Sequence, residues 1–164
     1  MKIGIMGTHG VGKSRFALDI ASSTKNDRPG KQLGLVSEVA RDCPFPVNEG
    51  VSDTAQHWIY HMQMIREIEA ATKNDILICD RTILDSLAYS KRAGFFDLLE
   101  DYLSPAVGWM ATYDEVYFLR PDTDPADDGF RSTDPKFQKD IDTILADWVK
   151  IFGLTVAQVM IGKD

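Results

Sequence analysis

Cysteine is scarce in this chain: only Cys43 and Cys79 occur, far apart and outside any CxxC spacing. That excludes a disulfide framework and points to a reducing interior rather than secretion. Cys79 falls in an apolar run, where it reads as a small core residue. No apolar run approaches the roughly 20 residues that span a bilayer. Residues 1–6 are too short for a signal peptide and run straight into a glycine-rich motif. The expectation is a cytoplasmic protein with no membrane partner. Lysine/arginine blocks are missing too, and the formal charge is −7. A protein that grips polynucleotide through its phosphates carries a basic stripe, so nucleic acid is disfavoured as the main partner. There is no internal repeat and no low-complexity linker. What is present, 44% hydrophobic and 26% charged residues over 164 positions, suits a single domain with a sizeable core.

Hydrophobic patterning predicts alternating strands and helices. Strands are expected over 3–6, 33–39, 76–79, 115–119 and 154–161. Helices are expected over 13–23, 82–92, 95–110 (with a break at Pro105) and 135–152. A long helix is expected to open on a capping box at Asp53-Thr54-Ala55-Gln56. Its apolar stripe would be Ala55, Trp58, Ile59, Met62, Ile65 and Ile68. This alternation argues for an α/β fold, a doubly wound five-stranded parallel sheet with helices on both faces. Thr-Lys-Asn-Asp occurs at 24–27 and again at 72–75. Both copies sit at expected helix ends, so they read as C-terminal caps and not as a guanine-reading element, which follows a strand.

The chemistry is announced by Gly7-Thr8-His9-Gly10-Val11-Gly12-Lys13-Ser14, a full GxxxxGK[ST] match between a strand and a helix. Average residue usage produces that pattern by chance in roughly one chain of this length in 200, so it marks a P-loop. Glycines let the backbone turn tightly and aim its N–H groups at phosphate oxygens. The helix N-terminus adds its dipole. The expected nucleotide-binding set is Gly7, His9, Gly10, Val11, Gly12, Lys13, Ser14 and Arg15. Lys13 would bridge the β- and γ-phosphates of ATP, and Ser14 would ligate Mg²⁺. His9 occupies a variable position and has no defined role. Asp80 follows four apolar residues, the Walker B arrangement. It would face the crevice at the strand's C-terminal edge and hold Mg²⁺ or its water shell; the lesser alternative is a cap on the next helix. Arg81 stands where hydrolytic ATPases usually carry a water-activating glutamate. An arginine suits charge stabilisation on a transferring phosphoryl group.

Three further stretches carry a family resemblance. Asp80-Arg81-Thr82-Ile83-Leu84-Asp85-Ser86-Leu87-Ala88-Tyr89 resembles the DR…SLAY stretch of thymidylate kinases and the acid-Arg-Ser stretch of deoxynucleoside kinases. Glu38-Val39-Ala40-Arg41 resembles the E-x-A-R element of NadR-like nicotinamide ribonucleoside kinases. Asp128-Gly129-Phe130-Arg131 resembles the DG-x-R lid of that group. The resemblance implies a P-loop kinase fold with a short lid at 121–134. It also implies a lid arginine at Arg131, phosphate contacts from Arg81, and a general base at Glu38. Arg41 would pair with Glu38 or bind the acceptor. Thymidylate kinases usually place an arginine before the second-strand glutamate; here Ser37 precedes it. A hydroxyl acceptor needs a base and a phosphate does not, so Glu38 favours a hydroxyl.

Weaker candidates complete the reading. Phe45, fixed between Pro44 and Pro46, could stack on a base, whereas Trp58 reads as core. His57 and His61 lie four apart on one helix face without a third zinc ligand. Arg120 would contact phosphate or cap its strand. The acidic loop around Asp122, Asp124, Asp127, Asp128 and Asp134 reads as solvated, and as a lid that orders over nucleotide. The expected activity is phosphoryl transfer from Mg-ATP to a nucleoside-, nucleotide- or ribosylnicotinamide-like small molecule. The rival is a P-loop ATPase used as a regulatory switch; a polynucleotide 5′-kinase is disfavoured by charge. Assembly as a homodimer is left open.

Overall fold

The computed structural model describes residues 1–122 and 132–160. Five strands, β1 (Lys2–Met6), β2 (Leu33–Val36), β3 (Ile76–Asp80), β4 (Glu115–Arg120) and β5 (Ala157–Met160), form one sheet in the order β2-β3-β1-β4-β5. Every pairing is parallel. The helices are α1 (Lys13–Asp27), α2 (Asp53–Ala71), α3 (Ile83–Ala93), α4 (Phe96–Met110) and α5 (Pro135–Ile151). The expected doubly wound α/β sheet is observed, and its element order places β1 and β3 side by side at the switch in winding direction. In such sheets ligands bind beyond the strands' C-terminal ends at that point.

Each central strand is apolar on both faces because both are covered. Ile3, Ile5, Ile78 and Leu119 pack on the α1 side with Val11 and Ala17. Met6, Leu77, Cys79 and Phe118 pack on the other side, among residues of α2 to α5. Cys79 is fully buried, and burial pushes its thiol up. No helix among the described residues is long and apolar enough to cross a membrane.

Several boundaries differ from expectation for physical reasons. β2 ends at Val36, and residues Val39–Asp42 tighten into a 3-10 turn, so Glu38 stands beyond the strand. α1 continues through Asp27, past the end expected at residue 23. Neither Thr-Lys-Asn-Asp copy uses a left-handed asparagine; instead the Asn74 side chain donates to the Ala70 carbonyl at 2.8 Å, closing α2. The N-cap of α2 is Ser52, which accepts from the Ala55 N–H at 3.1 Å, not Asp53. Pro105 does not break α4, since it lies on the exposed side, where water can serve the carbonyl a proline leaves.

The largest correction concerns the inward face of α2. Its buried positions are Ala55, Gln56, Ile59, Tyr60, Gln63 and Glu67. Ile65 and Ile68, assigned to the core from the sequence, are 43% and 53% exposed, and Trp58 and Met62 are half-buried. A helix turns polar side chains inward most readily where they find partners, as Gln63 and Glu67 do.

Candidate active site

The P-loop connects β1 to α1 through backbone conformations that side chains resist. Gly7 has φ 146, and a Cβ there would run into the Leu119 carbonyl oxygen of the neighbouring strand. Gly12, the N-cap of α1, has φ 75, which leaves the helix N-terminus open toward the loop. Thr8, His9, Val11 and Lys13 are buried, while Ser14 and Arg15 are exposed. Lys13 Nζ donates to the Thr8 carbonyl at 2.5 Å. Its pKa is lowered to about 7, first by burial and then by the nearby Arg81 cation, against the pull of Glu38, Asp85 and Asp80.

Asp80 ends β3 beside this loop. Ser14 Oγ donates to Asp80 Oδ2 at 2.5 Å, while Oδ1 is buried without a hydrogen-bond partner among the described residues. Asp80 does not cap the following helix, because Thr82 takes that position. A hydroxyl and a carboxylate, one of whose oxygens is buried and unpaired, make a hard-oxygen donor set that fits Mg²⁺.

Arg81 follows with φ 101, a left-handed-side conformation rare for a long side chain. Its guanidinium meets Glu38: Nε donates to Oε1 at 2.5 Å and Nη2 lies 2.5 Å from the same oxygen. Nη1 reaches the Gly7 carbonyl at 3.5 Å and Asp85 Oδ1 at 3.6 Å. Burial works against the Arg81 cation, but Glu38, Tyr89, Asp85 and Asp80 more than offset it and hold the group charged. Glu38 Oε2 faces Arg41 Nε at 3.4 Å.

These groups border a recess beside the P-loop, into which His9, Glu38, Gln56, Gln63, Arg81 and Tyr89 project, with Val39, Val47 and Ile59 as apolar wall. The structure therefore brings Glu38, Arg81 and His9 together with the loop. Arg41 stands behind Glu38 and does not line the recess. Phe45 does not line it either and is 38% exposed. Arg120 forms a two-pronged pair with Asp142, at 2.8 and 2.6 Å, so its charge serves β4 and α5. His57 and His61 pack edge-on against Tyr102, and no cluster of three or more potential metal ligands occurs among the described residues. Arg131 and most of the expected lid, with Asp124, Asp127 and Asp128, lie outside the described residues.

Several site residues escape sequence reasoning. Asp85 is fully buried, and it accepts from the Gly7 N–H at 2.9 Å and from the Thr82 N–H and hydroxyl at 2.8 Å each. Burial raises its carboxyl, against Arg81, Lys13 and the two backbone donors. Its signal was the T-x-x-D spacing at the start of α3. Gln56 and Gln63 belong to a polar stripe 56, 60, 63, 67 at helical spacing. Gln56 Oε1 is buried with no partner among the described residues. His9 acquires a setting: Nδ1 lies 3.1 Å from the Tyr89 hydroxyl, with the Phe137 ring beside it.

A family model for the AAA domain matches residues 2–163. The chain belongs to the AAA domain family. Among solved structures, a thymidylate kinase from Ehrlichia chaffeensis superposes with a TM-score of 0.70, at 16% identity over 100% of this chain and 88% of that one. A deoxyadenosine kinase from M. mycoides, with the products dCMP and dCDP bound, gives 0.68 at 18% identity over 99% and 90%. The same enzyme with dATP bound gives 0.66, again at 18% identity over 99% and 90%. At this identity the likeness is one of fold. No curated protein sequence matches the chain.

Proposed function

We propose that this AAA-domain protein is a kinase that moves the γ-phosphoryl group of Mg-ATP to a hydroxyl of a nucleoside-like small molecule. The observation that carries the reading is the Glu38–Arg81 pair. It sets a carboxylate and a guanidinium, both almost fully buried, between the phosphate loop and a side recess. A hydrolytic ATPase needs no such recess. The two kinases of like fold act on nucleosides and nucleotides by name, which supports the same substrate class here.

The P-loop N–H groups and Lys13 would hold the β- and γ-phosphates, with Lys13 leaving Thr8 for them. Ser14 and Asp80 would hold Mg²⁺, which when bound supplies charge neutralisation along the phosphates. Arg81, joined by Arg131 if the lid resemblance holds, would stabilise charge on the transferring group. Glu38 would accept the hydroxyl proton as the new P–O bond forms and the bond to the ADP β-phosphate oxygen breaks. Gln56 offers the acceptor an unpaired carbonyl oxygen for an N–H or O–H group. Arg41 keeps the Glu38 carboxylate in place.

The test is ADP release measured across a panel of nucleosides, nucleotides and ribosylnicotinamide. Release that depends on one acceptor class supports the reading; release equal with and without acceptors overturns it in favour of a switch ATPase. Glu38→Gln should cut transfer about a hundredfold or more while ATP binding persists.

A further inference from the structure

We propose that Gln63 is a positioning residue that holds Arg81 in its strained backbone conformation and so aims the guanidinium at Glu38. The catalytic half of this statement rests on the kinase reading above; the structural half does not.

Arg81 sits at φ 101, a region costly for a non-glycine residue, which persists only where the surroundings over-determine it. One restraint is the β-register, through the Arg81 N–H on the Ile5 carbonyl at 3.0 Å. The second is Gln63, whose Nε2 donates to the Arg81 carbonyl at 3.3 Å and to Glu67 Oε1 at 2.7 Å. Gln63 is 2% exposed, so neither bond is shared with bulk water.

The orientation of that amide is dictated from behind. Glu67, 1% exposed, accepts from Gln63 and the Tyr113 hydroxyl (2.7 Å) on Oε1. On Oε2 it accepts from Trp109 Nε1 (2.9 Å) and meets Lys2 Nζ at 2.5 Å. Surrounded by donors, Glu67 is an acceptor only. A flipped Gln63 would press its own carbonyl against that carboxylate and against the Arg81 carbonyl, which is repulsive on both sides. The amide N–H pair therefore has one arrangement. A chain of contacts runs from Lys2 at the base of β1, through Glu67 and Gln63, to the Arg81 peptide and on to Glu38. Gln63 matches no element of the sequence motifs; its role exists only through this geometry.

The experiment pairs Gln63→Met, which keeps length and removes the donors, with Arg81→Lys. In the kinase assay Q63M should lower kcat about tenfold to a hundredfold with both KM values within about twofold. In the R81K background Q63M should add nothing, because the two act through one group. Equal fold-losses in both backgrounds, or a loss confined to acceptor KM, overturns the proposal, since either means structural damage or direct acceptor contact. A second readout needs no turnover. The Arg81 Nε–H resonance, assigned by its disappearance in R81K, should exchange about tenfold or more faster in Q63M; an unchanged exchange rate overturns the proposal even if the kinase reading stands. If no acceptor supports ADP release, the kinase reading fails and this measurement still decides the positioning. Should Q63M not fold, Gln63→Asn, whose amide falls one methylene short, is expected to give the same exchange result.

Discussion

At the scale of single residues, the most consequential group is Lys13. Buried beside Arg81, it has a pKa lowered to about 7 from 10.5, so above neutrality much of it is uncharged until an anion arrives. Polyphosphate beside the ammonium restores the charge, and nucleotide binding should therefore take up a proton. Calorimetric titrations at pH 8 in Hepes and in Tris should differ by the buffers' ionisation enthalpies times an uptake approaching about one proton. Affinity should fall as pH rises above about 7; a pH-independent affinity would sink the assignment. The same shift has a sign for stability. Between pH 7 and 10.5 the unfolded chain holds more protons at Lys13 than the folded one, so its contribution grows as pH rises through that window. Lys13, Ser14 and Asp80 were all legible in the sequence because a P-loop and an acid after an apolar strand are local patterns. The Arg81 backbone was not, since nothing in Asp80-Arg81-Thr82 announces a positive φ.

Among the elements, the first turn of α3 joins the phosphate loop to β3. Asp85 closes the capping box on Thr82 and at the same time takes the Gly7 N–H, so one carboxylate joins the phosphate loop to the start of α3. Asp85→Asn replaces one acceptor oxygen by an N–H₂ that faces donors. We expect a loss of about 1–3 kcal/mol in urea unfolding, together with weaker nucleotide binding. Thr82→Val, which removes only a cap hydroxyl, should cost about 1 kcal/mol and leave nucleotide affinity near that of the wild type. Equal effects of the two on binding would detach Asp85 from the loop. Element existence and type were readable from periodicity, but the rotation of α2 was not. By polarity Ile65 and Ile68 suit a core better than Gln63 and Glu67, and only partners from Lys2, Arg81, Trp109 and Tyr113 reverse that preference.

For the molecule as a whole, the pair between half-buried Lys2 and buried Glu67 ties β1, α2 and α4 at the end of the sheet opposite the phosphate loop. Lys2 Nζ also lies over the Trp109 and Tyr113 rings, at 4.5 and 4.1 Å. Glu67→Gln leaves that ammonium without its counter-charge. It should destabilise the fold by about 1–3 kcal/mol, whereas Lys2→Met with Glu67→Gln, which removes the uncompensated ammonium and keeps an acceptor for the other donors, should lose less. Urea midpoints of the single and double variants check this, and a double variant no better than the single would mean the pair is not the source. The sequence by itself determined the parallel α/β sheet, the phosphate loop and the position of Asp80, because strand period, glycine spacing and a chain-adjacent acid are properties of neighbouring residues. Tertiary structure alone decided which face α2 turns inward, that Arg120 is spent on Asp142, that Phe45 stays outside the recess, and that Glu38, Arg81, Asp85 and Gln63 converge. Those outcomes depend on charges and hydrogen-bond partners brought together from separate strands and helices, and a buried polar group is stable only where such partners meet it.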